Sequence, residues 1–465
     1  MKTARNIIAI CLAGLLPALA HAQNDNDAPA ASPDGGTAPI NPDEINQLAA
    51  APTAGERVEQ ERDAYLKEQN ITLGVQDKKG RIFYYAQQAV GVPATDARWG
   101  RARILAHDGA LLAAQTEFLR DRFGAQTVEI ARTYFNQENN DGADEFPEEA
   151  VKNPKGTLEA IAKKVAVLAE AKLDSALEKE GVDPAQYNNL PPAQKKTLFM
   201  DQLVKNTINK AVGDASGLTT VQSFTGNDEA GNYVVGVIMM YSPDLRQLAY
   251  DISHKKPSLI TGRPKKSIQD MIPTDGEMLN EALGLRVGFD SNGRPCVISF
   301  GQWSSDYNGK DARRAERARE AASRVALTQA DAYITTFQNA GMSFLDTTSV
   351  GQSVERTLAK APDGNITDVD TTKLMEIINE KTRLTARADM LGRATVKRWS
   401  YVTPGGHRMS GVVRAWTLEN LEAGQAVRNW KPSTKPAATP AASSAGKQEE
   451  AAGVKRGFGQ DLNDF

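Results

Sequence analysis

The period of the apolar positions changes several times along the chain, and each change marks an element. Ile82-Phe-Tyr-Tyr85 and Cys296-Val-Ile-Ser-Phe300 are short runs of aromatic and branched residues, which suit strands. Each follows a turn signal, Asp77-Lys-Lys-Gly80 in one case and Asp290-Ser-Asn-Gly293 in the other, with Gly74-Val75 and Gly288-Phe289 ahead of it. The aspartate bonds the turn backbone and the glycine supplies a positive φ, so both segments predict hairpins. Helical periodicity follows each of them. After Asp96 the pairs Ile104/Leu105, Leu111/Leu112 and Phe118/Leu119 recur at heptad spacing. After Asp311, Ala315, Ala318, Ala322, Val325 and Tyr333 trace one face. The abundance of alanine predicts helix backbones lying close to a sheet, with the interspersed arginines on a solvated face.

The closing strands of each half show that the chain is duplicated. Thr220-Val-Gln-Ser-Phe-Thr225 matches Thr395-Val-Lys-Arg-Trp-Ser400. At the same offset and without a gap, Gly236-Val-Ile238 falls on Gly411-Val-Val413, Tyr241-Ser242 on Trp416-Thr417, and Gly217 on Gly392. The match places Val221 and Val396 on equivalent strands, and Leu112 and Leu327 on equivalent helices. The two helix starts, Asp96 and Asp311, lie further apart than the closing strands do, so the first half holds an insertion. It includes an acidic stretch, Glu138 to Glu149, and predicted helices from about Thr157 to Glu180 and Ala193 to Val212. A helix near Thr372 to Met390 is predicted at the matching place in the second half. The expected fold class is α+β: two tandem repeated domains, each an antiparallel sheet with helices on one face, in the order hairpin, Ala-rich helix, helical insertion, hairpin. The first domain spans 55–250 and the second 276–430, with a basic connector at 251–275.

The ends differ in character. Lys2 and Arg5 precede an apolar run from Ile7 to Ala20, and Ala20-His21-Ala22 presents small residues where a signal peptidase reads. Residues 1–22 therefore predict a signal peptide cleaved after Ala22, a periplasmic location, and no integral membrane span once the signal is removed. Residues 23–54 and 431–465, rich in Ala and Pro, predict a disordered linker and a disordered tail. The tail closes on Phe458, Leu462 and Phe465 after a run almost devoid of large apolar residues. Their spacing of four and three puts them on one face of a helix formed on binding, which makes them candidate partner-binding residues.

Charge and chemistry narrow the function. The 55 basic and 58 acidic side chains among 465 residues leave a net charge of -3, which excludes a general nucleic-acid binder. Without the signal, Cys296 is the one cysteine, so neither an internal disulfide nor a Cys/His zinc site can form. Cys296 reads as a buried core residue. His107 sits beside Asp108 on a helix, where adjacent positions diverge; His254 lies in the connector and His407 in a hairpin turn. Ser253-His-Lys-Lys256 has Ser-x-x-Lys spacing without its companion motifs. Gly262-Arg-Pro-Lys-Lys-Ser267 lacks phosphate-loop spacing. The stretch from Glu138 to Glu148 has hard oxygen donors around Gly142, but Gln137 stands where a calcium loop wants aspartate. These readings predict no catalytic residue, no metal and no cofactor.

The order of exported leader, hairpin, Ala/Arg-rich helix and closing hairpin resembles the amino-terminal domain of flagellar assembly protein T and related small envelope lipoprotein domains. It is also similar to an uncharacterised family of exported proteobacterial proteins. The resemblance implies a non-catalytic component of an envelope assembly. The expected function is therefore a periplasmic scaffold or adaptor, not an enzyme, engaging other cell-envelope proteins. The alternatives are a module binding glycan or peptidoglycan through Trp99, Trp303, Asp306 and Tyr307, or a hydrolase using dispersed carboxylates.

Overall fold

The computed structural model describes residues 51–137, 154–166, 168–264, 266–305, 307, 309–339, 391–429, 455–456 and 459. It is an α+β structure with two antiparallel sheets. The acidic stretch from Glu138 to Glu149, the helix predicted near Thr372 to Met390, Asp306, and the residues before 51 lie outside the described residues.

The first repeat opens with α1 (Ala54–Glu68), whose first turn is closed by a capping box between Thr53 and Glu56. Strand β1 (Ile82–Ala89) follows, then the long α2 (Trp99–Gln137). The insertion supplies α3 (Pro154–Ala166), α4 (Glu170–Lys179), α5 (Pro184–Tyr187) and α6 (Pro192–Asp214). Strands β2 (Thr219–Asn227) and β3 (Tyr233–Tyr241) complete the sheet, and α7 (Pro243–Ser253) leaves it. The helix predicted from Thr157 to Glu180 is broken between α3 and α4. The break lets Ile161 and Val165 on one side, and Leu173 and Leu177 on the other, both reach Phe199 and Leu203 of α6. A single straight helix would carry one of these groups away from α6.

The second repeat runs α8 (Gly276–Glu281), β4 (Gly284–Phe289), β5 (Pro295–Ser305), α9 (Ala312–Asn339), β6 (Arg393–Val402), β7 (Arg408–Thr417) and α10 (Leu418–Arg428). A short final strand, β8 (Lys455–Arg456), returns to the first sheet. The strand orders are β1-β3-β2-β8 and β4-β5-β7-β6.

The duplication holds in detail. β1-β3-β2 repeats as β5-β7-β6, and Leu112 and Leu327 lie on the equivalent helices α2 and α9. Both sheets carry a β-bulge at the same point, between Thr220 and Gln222 in one and between Thr395 and Lys397 in the other. Val221 and Val396 are thus the bulged residues themselves. Ser242 caps α7 by accepting from the Leu245 amide, and Thr417 caps α10 by accepting from the Asn420 amide. The Asp77 and Asp290 turns are the same: each carboxylate accepts from backbone amides two and four residues on and from the arginine at the fourth, Arg81 or Arg294. One arm differs. β4 brings buried Leu285, Val287 and Phe289, whereas the first repeat brings Leu73 and an exposed Val75, and makes only a bridge from Leu73 to Phe83.

Each sheet is covered on both faces, not one as its sequence suggests. On the first, α2 lays Ala106, Ala110, Ala114 and Phe118 over Tyr84, Val235, Val237, Met239 and Tyr241. Val58 and Tyr65 of α1 cover the opposite face with Phe83, Phe224, Ile238 and Met240. On the second, α9 crosses β5 and β7, while Ile272 and Leu279 cover Cys296, Ile298, Phe300 and Val413 behind them. Leu285, Val297, Ile334, Phe337 and Trp416 of the second repeat join the core of the first. Direct bonds seal the join: the Thr219 hydroxyl donates to the Leu285 carbonyl at 3.0 Å, and the Gly217 amide to the Phe337 carbonyl at 3.0 Å.

Candidate functional site

The chemistry-bearing side chains concentrate in two places, a buried polar seam between the repeats and the outer edge of β2. The seam exists because α2 is longer than its own sheet needs. Its first turns run across the end of β5, so close at Gly100 that a Cβ there would lie 2.6 Å from the Ser304 hydroxyl. This projects Arg103, His107 and Asp108 into the second repeat.

Arg103 is 1% exposed. Its Nη1 donates to both Glu281 carboxylate oxygens at 3.3 and 3.2 Å. Its Nη2 donates to the Asn280 carbonyl at 2.7 Å, the Asn280 side-chain oxygen at 3.1 Å and Gln302 Oε1 at 3.0 Å. Gln302 Nε2 in turn donates to the Asn280 and Ala282 carbonyls, and Gln329 Oε1 accepts from the Gln302 amide at 3.0 Å. The chain of bonds closes on α2 again: Gln329 Nε2 donates to the Asp108 carboxylate at 3.2 Å, and the Tyr333 hydroxyl donates to it at 2.5 Å. One connected network therefore joins α2 of the first repeat to α8, β5 and α9 of the second. Apart from Arg103 Nε, which has no hydrogen-bond partner among the described residues, the network is bonded throughout these contacts, and a buried network of this kind favours one relative orientation of the parts that it joins.

His107 lies inside this seam with no exposed surface, and neither ring nitrogen has a hydrogen-bond partner among the described residues. Nδ1 is 3.7 Å from Asp108, too long for a hydrogen bond. Burial lowers its pKa, Asp108 works against that, and the charges of Arg286 and Arg103 add to the lowering. The imidazole is thus held neutral in the folded chain, while in the unfolded chain it takes up a proton near pH 6.5. Stability should be full above that pH and fall as pH drops below it toward the folded pKa. The slope should approach about 1.4 kcal/mol per pH unit, the value for one proton. Urea titrations between pH 7 and 5 measure this slope, and His107→Phe should flatten it. The lowered carboxylates Asp77 and Asp96 act in a separate window below about pH 4.

The other singled-out residues are dispersed. Trp99 is buried at 7%, stacked on His407 at 5.0 Å and edge-on to Tyr233 at 5.0 Å, so it packs the seam. His407 Nε2 lies 2.6 Å from the Ala94 carbonyl oxygen. Trp303 lies beneath the Arg101 guanidinium, and the Tyr307 hydroxyl accepts from the Asp311 amide at the start of α9. His254 and Ser253 bond the Tyr250 carbonyl at the end of α7. Cys296 is buried in β5. Among the described residues no three His, Cys, Asp or Glu side chains are grouped to hold a metal ion, and no helix is long and apolar enough to cross a membrane. Nothing in the sequence marks Arg103, which reads there as one more arginine on a solvated face.

The second place is the edge of β2. Phe458, Leu462 and Phe465 lie outside the described residues. The residues that open their motif are described, and they are extended. Lys455 pairs with Thr225 and Arg456 with Phe224, antiparallel, as a fourth strand. Gly459 reaches the bulge, where a Cβ would lie 2.5 Å from Gln222 Oε1 and 3.3 Å from the Val221 carbonyl oxygen.

Residues 158–254, which include α4 to α7 and both closing strands of the first repeat, match a family described as a domain of unknown function (DUF6844). A crystal structure of the hypothetical protein FTT1539c from Francisella tularensis is similar over 79% of this chain and 91% of that one, with 22% identity and a TM-score of 0.48. No curated protein matches. Both similarities are to uncharacterised proteins, the solved one bacterial.

Proposed function

We propose that this protein is an exported, periplasmic adaptor: a rigid two-repeat body that engages other envelope proteins through its terminal segments. The observation that carries the reading is the return of Lys455 and Arg456 to the edge of β2 across a Pro/Ala-rich stretch. A terminal segment able to add a strand to a folded body is the working part of many docking proteins, because main-chain bonds supply affinity without a deep pocket. The buried Arg103 network supports it from the other side, since an adaptor must hold its two repeats in one orientation. Trp99, packed in the seam, is withdrawn from the glycan platform that a carbohydrate module would need.

Crosslinking in cells, followed by identification of the captured proteins, tests the reading. The full chain should capture a defined set of envelope proteins, and a chain lacking 455–465 should fold with unchanged melting temperature yet lose that set. Equal capture by both chains would remove the tail from the mechanism. Amino-terminal sequencing of the exported form should begin at Gln23; an intact Met1 in the membrane fraction would contradict export by cleavage.

A further inference from the structure

We infer that the outer edge of β2 is a strand-docking groove whose resident ligand is the chain's own Lys455, Arg456 and Gly459, with Gly459 as its specificity-determining residue. The inference deepens the adaptor reading, on which its use by partners rests, by naming the site and the chemistry of what enters it.

The duplication supplies an internal control. The same edge exists twice, with the same bulge, but its charge differs. β2 reads Thr219-Thr-Val-Gln-Ser-Phe-Thr-Gly-Asn227 and has no charged residue. β6 carries Lys397 and Arg398 there; its third basic residue, Arg393, is buried against Asp331 and Gln338 and does not guard the edge. Gln222 and Ser223 beside the first bulge become Lys397 and Arg398 beside the second, and the Lys397 ammonium donates to the Pro273 carbonyl at 2.9 Å. Lysine and arginine on an edge strand are a common defence against added strands. They also repel a ligand that begins Lys455-Arg456. The β6 edge is thus guarded against this segment, whereas the β2 edge is open to it and holds it.

Register selects the ligand further. With Arg456 opposite Phe224 and the strands antiparallel, Gly459 falls at Val221, the bulged residue. At the bulge a Cβ at 459 would displace the Gln222 side-chain amide and press on the Val221 carbonyl oxygen at 3.3 Å, so glycine fits there best. The groove therefore accepts an extended segment, tolerates its two basic residues, and favours glycine three positions after the second. The Pro/Ala-rich stretch between Arg428, at the end of α10, and Lys455 is the tether. Because the segment is covalently joined to the body that it docks on, it meets the edge intramolecularly, at an effective concentration of roughly millimolar order. A short ladder of modest intrinsic affinity is then occupied in cis and opens readily enough to release the segment to a partner.

The test uses a fluorescent peptide of residues 453–465 and measures anisotropy. A chain lacking 455–465 should bind it, and the intact chain should bind at least about tenfold more weakly because its own segment competes. A peptide carrying Gly459→Val should lose about tenfold or more in affinity for the truncated chain, which requires no refolding of the protein. Absence of peptide binding to a truncated chain of normal melting temperature, or equal binding to both chains, overturns the groove. Unchanged binding of the Gly459→Val peptide overturns the assignment of Gly459. Partner capture does not enter this measurement, so a failure of the groove and a failure of the adaptor reading are told apart.

Discussion

Arg103→Met should destabilise the chain by about 3–5 kcal/mol, the range for removing one partner of a buried ion pair. Methionine roughly keeps the volume of the stem, so the loss is not chiefly a cavity. What remains is Glu281, mostly buried and without its guanidinium, together with the Asn280 and Gln302 oxygens that Nη2 now satisfies. The Asn280 side-chain oxygen and Gln302 Oε1 lose this donor in a low-dielectric seam, while the Asn280 carbonyl keeps Gln302 Nε2 and Glu281 keeps Asn280 Nδ2. Urea unfolding measures the loss, and a second variant separates the lock from simple misfolding. Glu281→Gln in the Arg103→Met background removes the stranded charge and should recover part of the loss, a coupling of about 0.5–3 kcal/mol. A cost for Arg103→Met below about 1 kcal/mol, within the range of an exposed ion pair, would show that the network does not hold the repeats together.

The legibility of this fold in its sequence divides along a physical line. Features set by local backbone chemistry are readable. The Asp-x-x-Gly turns bond as their residues dictate, the caps at Ser242 and Thr417 fall where the duplication puts them, and the bulges at Val221 and Val396 coincide. Features set by distant contacts are not. Arg103 meets partners 177 to 199 positions away, and no pattern within its own helix distinguishes it from solvated neighbours. The face expected for α9 is nearly right but rotated: Ala322 is buried, whereas Val325 is 40% exposed and the stripe continues through Ala326, Ala330 and Ile334. A four-residue step follows alanine against a flat sheet more closely than the mixed spacing that the larger side chains suggest. Strand addition at β2 is hidden for a similar reason. The apolar spacing of the tail suggests a helical motif, and the register that makes Gly459 matter belongs to residues far upstream.

Gly301→Ala should be among the most damaging single-methyl additions in the chain. A Cβ at 301 would lie 2.1 Å from the Ala326 carbonyl oxygen and 2.6 Å from the Ala330 amide nitrogen. Both are helix backbone, which no rotamer change moves aside, so α9 must lift from β5 as a body. Overpacking of well-packed cores costs about 1–3 kcal/mol and occasionally more; with backbone on the receiving side the upper end is expected, about 3 kcal/mol. The usual gain from replacing glycine in a strand, roughly 0.5–1 kcal/mol, offsets little of this. Lifting α9 also strains the Ser299 hydroxyl bond to the Ala330 carbonyl at 2.7 Å and the Arg414 bond to Asp331 at 2.9 Å. The first repeat shows that the demand is local. By strand register Ala86 opposite Val237 stands where Gly301 stands opposite Val412, so β1 already accommodates a methyl beneath α2. The control lies in the same sheet: a Cβ at Gly288 would meet Met271 Sδ at 3.5 Å, an ordinary contact. Gly288→Ala should therefore leave the urea midpoint unchanged or slightly raised while Gly301→Ala lowers it sharply. Equal midpoints for the two variants would mean that α9 does not lie as close to β5 as its alanines allow.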